Sequence, residues 1–391
     1  MINETAYALG NNGCIIREIA EYGAARAALI GEENVLNFTI GNPSLPAPAQ
    51  IHETIADLLQ NMDSLSLHGY TSAPGDLATR QAIADDLNRR YPDAHVVAEK
   101  MFLTCGTSPA LSAALTALSV PKGEVLVIAP YFPEYSPFAQ IAGLELKVVP
   151  ADIPDFQINF DALAATLTEN TVAVLINSPN NPSGTVYTEK TLKKLAALLT
   201  ERAKAYGHPI YIVADEPYRE LAYGVEVPFI PTLYPDTIVT YSYAKSLSLP
   251  GERIGYAYVS PTATDSDRVY TALCGAARAL GHICAPSLLQ KVIARCAHLR
   301  PDLAAYDKNR TALYEGLTKA GYEVAKPDGA FYMFVKAPGY TSVEFCEKAK
   351  AKDLFVVPGD DFGCPDYFRL CYCVSYEKIQ KSLPLFAELL K

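Results

Sequence analysis

The 391-residue chain offers no uninterrupted apolar run of roughly 18 residues, which a membrane-crossing helix requires. Its opening stretch, MINETAYALGNN, lacks the basic-then-apolar pattern of a secretory signal. Positive charge is in short supply. There are 33 Lys and Arg against 43 Asp and Glu, a formal net charge of −10. That balance excludes a general nucleic-acid or anionic-membrane surface and leaves room for a local basic pocket. None of the nine cysteines stands in a CxxC pair, and nine cannot all pair within one chain. A reducing cytoplasm is the expected compartment, with most cysteines acting as small buried hydrophobes. There is no internal repeat, low-complexity tract or long linker, and no P-loop or dinucleotide-binding glycine fingerprint.

What is present is apolar material for a sizeable core, at 50% hydrophobic residues. Length alone suggests two or three domains at roughly 150 residues each. Residues 13–30, 49–60 and 76–90 read as helices. From residue 101 short apolar runs alternate with helical stretches. FLTCGT, EVLVIAP, LELKVVP, VAVLINS, IYIVADE, TIVTYSYAK and GYAYV read as strands, and 110–118, 161–168 and 188–206 as helices. That order predicts an α/β fold with a mostly parallel sheet covered on both faces. After residue 282 the texture becomes α+β, with helices over 285–298, 302–319 and 342–352. The expected division is therefore an N-terminal segment 1–45 packing with a small domain, a large domain 46–282 and a small C-terminal domain 283–391.

Polar residues at strand ends carry the chemistry, because ligands bind outside the carboxyl ends of such strands. In Cys105-Gly106-Thr107-Ser108-Pro109, Ser108 is a good N-cap and the backbone N–H groups can hold a phosphate. An ordinary strand-to-helix connection has the same composition. Asn177 to Gly184 forms a rigid Asn/Pro turn whose amides can face a site or simply turn the chain. Asp215 ends the apolar run YIVAD. It must be paired, whether with a helix cap, a metal or a protonated ring nitrogen, and Tyr218 is close enough to share its cleft. Lys245 follows an apolar strand in SYAKSLSLPGERIGY. Burial would lower its pKa and leave a nucleophilic amine. Arg253, framed by Gly251 and Gly255, can return to the same pocket as a phosphate clamp.

Taken in order, YTSAPGDLATR, CGTSPAL, NNPSG, ADEPY, SYAKSLSLPGERIGY and YFRL resemble the fold-type I pyridoxal-phosphate aminotransferases of class I/II, the aspartate-aminotransferase-like group. The resemblance spans residues 35 to 385. It implies a large α/β domain with a mostly parallel sheet and a smaller α+β domain, binding pyridoxal 5′-phosphate. It implies that Lys245 links to the cofactor as an aldimine and later moves the substrate α-proton. Asp215 would pair with the ring nitrogen, while Tyr218 and Asn181 would hydrogen-bond the phenolic oxygen. Arg253, Ser242 and the Gly106–Thr107–Ser108 turn would hold the phosphate. Phe132 would stack on the ring, with Tyr131 as the neighbour one register away. Tyr70 would reach the partner's phosphate in a homodimer with shared sites. Arg369 would clamp the substrate α-carboxylate near Gly41 and Asn42, with Asn181 beside it. Ala244 departs from the serine many relatives carry there. No metal is implied, and His68 and His208 read as structural.

Specificity stays open in the sequence. Arg17, Arg278 and Lys291 are candidates to hold a distal carboxylate, while 25 Tyr and 14 Phe keep aromatic donors in view. The expected reaction moves an amino group from an L-amino acid, aspartate first, to a 2-oxo acid such as 2-oxoglutarate. The alternatives are an aromatic or broad-specificity aminotransferase, a pyridoxal-phosphate carbon–sulfur lyase and, remotely, a cofactor-sensing regulatory domain. The last would need a DNA-binding segment for which the region before residue 35 has no room. Small-molecule substrates are expected, with no nucleic acid and no membrane.

Overall fold

The computed structural model describes residues 1–391 apart from Asn12. Helices α1 (Glu4–Asn11) and α2 (Ile15–Ile30) precede a short strand β1 (Leu36–Asn37), followed by α3 (Ala49–Asn61), α4 (Ser64–His68) and α5 (Leu77–Arg90). The alternating region runs through β2 (Met101–Thr104), α6 (Thr107–Leu118), β3 (Glu124–Ile128), α7 (Tyr135–Ala142), β4 (Glu145–Val149) and α8 (Phe160–Thr166). It continues with β5 (Thr171–Asn177), α9 (Glu189–Tyr206), β6 (Tyr211–Asp215), β7 (Thr237–Ser242), α10 (Tyr243–Ser246) and β8 (Gly255–Val259). Helices α11 (Ser266–Ala279), α12 (Ser287–Cys296) and α13 (Leu303–Ala320) come next. The chain closes with β9 (Tyr332–Lys336), α14 (Ser342–Lys350), β10 (Leu354–Phe355), β11 (Val357–Pro358), β12 (Tyr367–Cys371) and α15 (Tyr376–Leu389).

The central sheet has seven strands in the order β2-β8-β7-β6-β5-β3-β4. Every neighbouring pair is parallel except the two involving β8. The period of two along each strand explains its apolar run. Val125 and Val127 of β3 face the side covered by α6 and α11. Leu126 and Ile128 face the other side, covered by α5, α9 and α12. Both faces are buried, so both alternating sets must be apolar, and each large side chain contributes on the order of 1.5–3 kcal/mol by burial. A charged residue on such a strand is tolerable only at its end, where Asp215 stands.

The second core gathers α13, α15 and the antiparallel sheet β11-β12-β9. The N-terminal part joins it: β1 pairs in parallel with β10, and Arg26 bonds Asp353 at 2.7 Å. The change of core falls later than residue 282. The buried residues Ala285, Leu289, Val292, Ile293 and Ala297 belong to the large-sheet core, and the second core is taken up from Leu303 and Tyr306. Helix α12 is amphipathic, and its apolar stripe is matched by α3 and α5. No helix among the described residues is long and apolar enough to cross a membrane.

Candidate active site

A cleft of about 520 Å³ opens at the carboxyl ends of the parallel strands, between the two cores. Strand β5 delivers Asn177 and Asn181, β6 delivers Asp215 and Tyr218, and β7 delivers Ser242, Ala244 and Lys245. The loops after β2 and β3 bring Thr107, Ser108 and Phe132, Arg253 arrives from the turn before β8, and β9 and β12 supply Tyr332 and Arg369. Ile16, Arg17, Ile40 and Gly41 close it from the N-terminal side. Phe132, Asn177, Asp215 and Lys245, distant in the chain, meet because the parallel strands β3, β5, β6 and β7 end together, and the second core adds Tyr332 and Arg369 from the other side.

Asp215 is buried. Tyr135 Oη donates to its Oδ2 at 2.6 Å, and Thr240 Oγ1 donates to Oδ1 at 3.3 Å. No cation pairs with it among the described residues. Burial therefore pushes its carboxyl up to about 7, against the pull of those two hydrogen bonds. A buried carboxylate held by neutral donors alone fits a ligand that brings its own positive charge. Asn177 fastens the strand ends beside it: its Nδ2 donates to Asp215 O at 2.7 Å and its Oδ1 accepts from Asn181 N at 2.7 Å.

Lys245 Nζ donates to Gly41 O at 2.6 Å. Burial holds its pKa below the ordinary lysine range, and Arg253 and Arg369 push the same way. Gly41 must be glycine: a Cβ there would collide with the Tyr332 hydroxyl. That hydroxyl lies 3.0 Å from Tyr218 Oη. Burial pushes the Tyr218 phenol up, so it stays protonated and able to donate.

The helix after β2 starts two residues earlier than a Ser108 cap implies. Gly106 is its N-cap, at φ +91°, and Thr107 its first residue. Gly106 is glycine for a second reason: a Cβ would sit 2.6 Å from Arg253 Nη2. The N–H groups of Thr107 and Ser108, the Ser242 hydroxyl and the Arg253 guanidinium therefore open onto one corner of the cleft. That corner suits a phosphate.

Arg369 is buried. Its Nη1 donates to Asn181 Oδ1 at 2.9 Å and its Nη2 to Thr39 O at 2.5 Å. Its Nε has no partner. An orphaned buried donor on a cleft wall fits an incoming carboxylate.

Three expected residues lie apart from this group. Asn42 is exposed and does not line the cleft. Tyr131 packs in the wall, against Gly363, so the aromatic position in the cleft is Phe132. Tyr70 is 89% exposed, away from its own chain's cleft. Of the three candidate cations, Arg17 lines the cleft while Arg278 and Lys291 do not. Neither His68 nor His208 lies in the cleft. Sequence reasoning missed Tyr135 and Tyr332, and it named Asn177 only as the start of a turn. Tyr135 sits in PYFPEY beside Phe132, and Tyr332 reads as one more aromatic in a buried strand.

The sequence profile of the family described as "Aminotransferase class I and II" matches residues 33–383. An aspartate aminotransferase of Thermotoga maritima is 30% identical over 377 residues, covering 94% of this chain and 95% of the relative. An aromatic-amino-acid aminotransferase 2 of Thermococcus litoralis is 27% identical over 381 residues, covering 92% and 93%. Among solved structures, an amino transferase from Eubacterium rectale superposes with a TM-score of 0.97 at 52% identity, covering 100% of this chain and 98% of that one. The chain belongs to the class I and II aminotransferases. It is an enzyme with the fold type I architecture, and it depends on pyridoxal phosphate, whose charge pattern the cleft matches: a cation-seeking carboxylate, a phosphate corner and a lysine of lowered pKa.

Proposed function

We propose that the chain transfers the amino group of an L-amino acid with a second, distal carboxylate, aspartate first, to a 2-oxo acid such as 2-oxoglutarate. The observation that carries this reading is a fourth cation. Lys245, Arg253 and Arg369 each face a cofactor or α-carboxylate task. Arg17 lines the same cleft and makes no ion pair or side-chain hydrogen bond among the described residues. Glu134 shares that cleft, so a second negative charge on the substrate is admitted only where Arg17 neutralises it.

In this reading Asp215 holds the cofactor's ring nitrogen, and Tyr218 and Asn181 hold its phenolic oxygen. Phe132 covers its ring, Ser242, Arg253 and the Gly106–Thr107–Ser108 turn hold its phosphate, and Lys245 anchors it. When bound, pyridoxal phosphate supplies an electron sink for negative charge at the substrate α-carbon. Arg369, positioned by Asn181 and Thr39, fixes the α-carboxylate beside Gly41. That places the α-proton before Lys245 Nζ, the one amine in the cleft. Nζ takes the proton as general base and, once protonated, serves as the acid that returns it.

The exposed Tyr70 suits a homodimer in which it completes the partner's phosphate corner. The domain division is proposed with its boundary between Ala297 and Leu303, and the compartment is the cytoplasm.

Aromatic donors form the second reading, favoured by Phe132, Phe138 and Tyr332 in the cleft lining. Single-turnover spectra of the loaded enzyme with individual amino acids separate the two. Fast conversion to the aminated cofactor with aspartate and glutamate, and slow conversion with phenylalanine, supports the first. Arg17→Ala should reverse that order. A wild-type preference for phenylalanine overturns the acidic assignment. Pyruvate and ammonia released from cysteine, without aminated cofactor, would identify a lyase instead.

A further inference from the structure

Arg369 and Cys371 share one face of β12 by its period of two, and Cys373 follows two residues on, just past the end of the strand. Cys371 Sγ and Cys373 Sγ lie 3.3 Å apart, and Cys371 Sγ lies 3.0 Å from the carbonyl of Ile40. The next residue, Gly41, is the acceptor for Lys245 Nζ. The pair therefore sits directly behind the backbone that holds the reactive amine. Cys371 is 0% and Cys373 4% exposed and neither lines the cleft, but the adjoining Ile40, Gly41, Lys245 and Arg369 do, so a peroxide would reach the pair only through that wall.

We propose that Cys371 and Cys373 form a peroxide-reactive dithiol whose closure to a disulfide weakens substrate binding. Cys371 is the attacking sulfur. Its pKa is lowered by the hydrogen bond from Cys373, then by Arg369 and Lys245, whereas burial raises that of Cys373. The Cys371 thiolate attacks one peroxide oxygen. The O–O bond breaks, the leaving oxide takes a proton and departs as water or an alcohol, and the sulfur becomes a sulfenic acid. Cys373 then attacks that sulfur, the S–O bond breaks, and hydroxide leaves with the Cys373 proton as water. One hydroperoxide is reduced, two thiols are oxidised, and no further reactant is needed.

The disulfide would be reversible by thiol exchange. Its formation removes the Cys371 S–H that reaches Ile40 O and releases the Ile40–Gly41 segment. Cys371 is thus a positioning residue that acts through Gly41. The proposal rests on thiol geometry and not on which amino acid the cleft prefers.

The test treats the loaded enzyme with hydrogen peroxide, alkylates the remaining thiols and maps the tryptic peptide Leu370–Lys378. The expected result is loss of two hydrogen masses from that peptide, reversed by dithiothreitol. Oxidation should raise KM by about threefold to tenfold, with smaller change in kcat. Cys373→Ser should abolish the disulfide, keep the fold and leave a dimedone-trappable sulfenic acid on Cys371. Full alkylation of both cysteines while the more exposed Cys14 or Cys105 oxidises would overturn the proposal. Independent over-oxidation of each sulfur without a disulfide would also overturn it.

Discussion

Two cavities of nearly equal size lie at opposite ends of the same sheet. The cleft at the carboxyl ends measures about 520 Å³, and the cavity at the amino ends of β3, β5 and β6 about 490 Å³. The rear cavity also has polar side chains, but its one unpaired carboxylate among the described residues, Glu169, is exposed, and the buried or half-buried ones make local contacts. His208 Nδ1 lies 3.0 Å from Pro209 O and its Nε2 lies 2.8 Å from Glu169 O. Tyr211 Oη donates to Thr264 O at 2.6 Å, and Arg268 lies 3.6 Å from Asp265. In the front cleft, among the described residues, buried Asp215 has no cation and buried Arg369 Nε has no acceptor. Size does not distinguish a site from a surface hollow here. Unanswered charge does, because a buried polar group without a partner costs free energy that a ligand can recover.

The largest effect should come from Lys245. Lys245→Ala should slow turnover by on the order of 10⁴-fold, the scale of a lost general base. It should still bind some cofactor through the phosphate corner and Asp215, which equilibrium dialysis would detect. Asp215→Asn should follow, with α-proton abstraction slowed by about 100-fold or more at saturating cofactor. Near-normal single-turnover rates in that variant would mean that Asp215 serves affinity only.

The same residue makes a pH prediction in the cofactor-free protein. The folded-state pKa of Asp215 is raised from 3.8 to about 7. Over that interval the folded chain keeps a proton that the unfolded chain has released, so this group's contribution to stability falls as pH rises from 3.8 towards 7. Loading with cofactor should flatten the slope, and so should Asp215→Asn without cofactor. Thermal melts at successive pH values read it. An unchanged slope in both cases would remove the argument from orphaned charge.

Arg369→Ala should raise KM for the amino acid by about 10- to 150-fold, the range of a lost charged hydrogen bond. The smallest effect is expected at the rear. His208→Ala should lower the melting temperature slightly and leave kcat/KM within about twofold. A large activity loss there would break the contrast between the two ends.

Much of the front cleft was legible because strand ends announce themselves: YIVAD and TIVTYS are apolar runs that stop at a polar residue. Asp215 and Lys245 could be found that way, and Arg253 from its glycine frame before β8. Strand direction could not, since β8 has the same apolar character as its parallel neighbours and runs the other way. Tyr135 and Tyr332 escaped, and Asn177 was legible only as part of a turn, because each acts through another side chain or through backbone, and their residue types suit a core or a turn equally well. The start of α6 at Thr107 escaped for a similar reason. Serine is the commoner cap, but only Gly106 allows both the positive φ and the approach of Arg253. The later change of core escaped because an amphipathic helix such as α12 shows that it has an apolar face and not what covers it.

The central claim is that the front cleft carries the chemistry and that Lys245 is its reactive amine. Borohydride reduction of the loaded enzyme, followed by peptide mapping, tests this most directly. The account predicts one cofactor fixed per chain, on the peptide containing Lys245, with no label in the Lys245→Ala variant. Label on any other lysine, or undiminished labelling of Lys245→Ala, would contradict it.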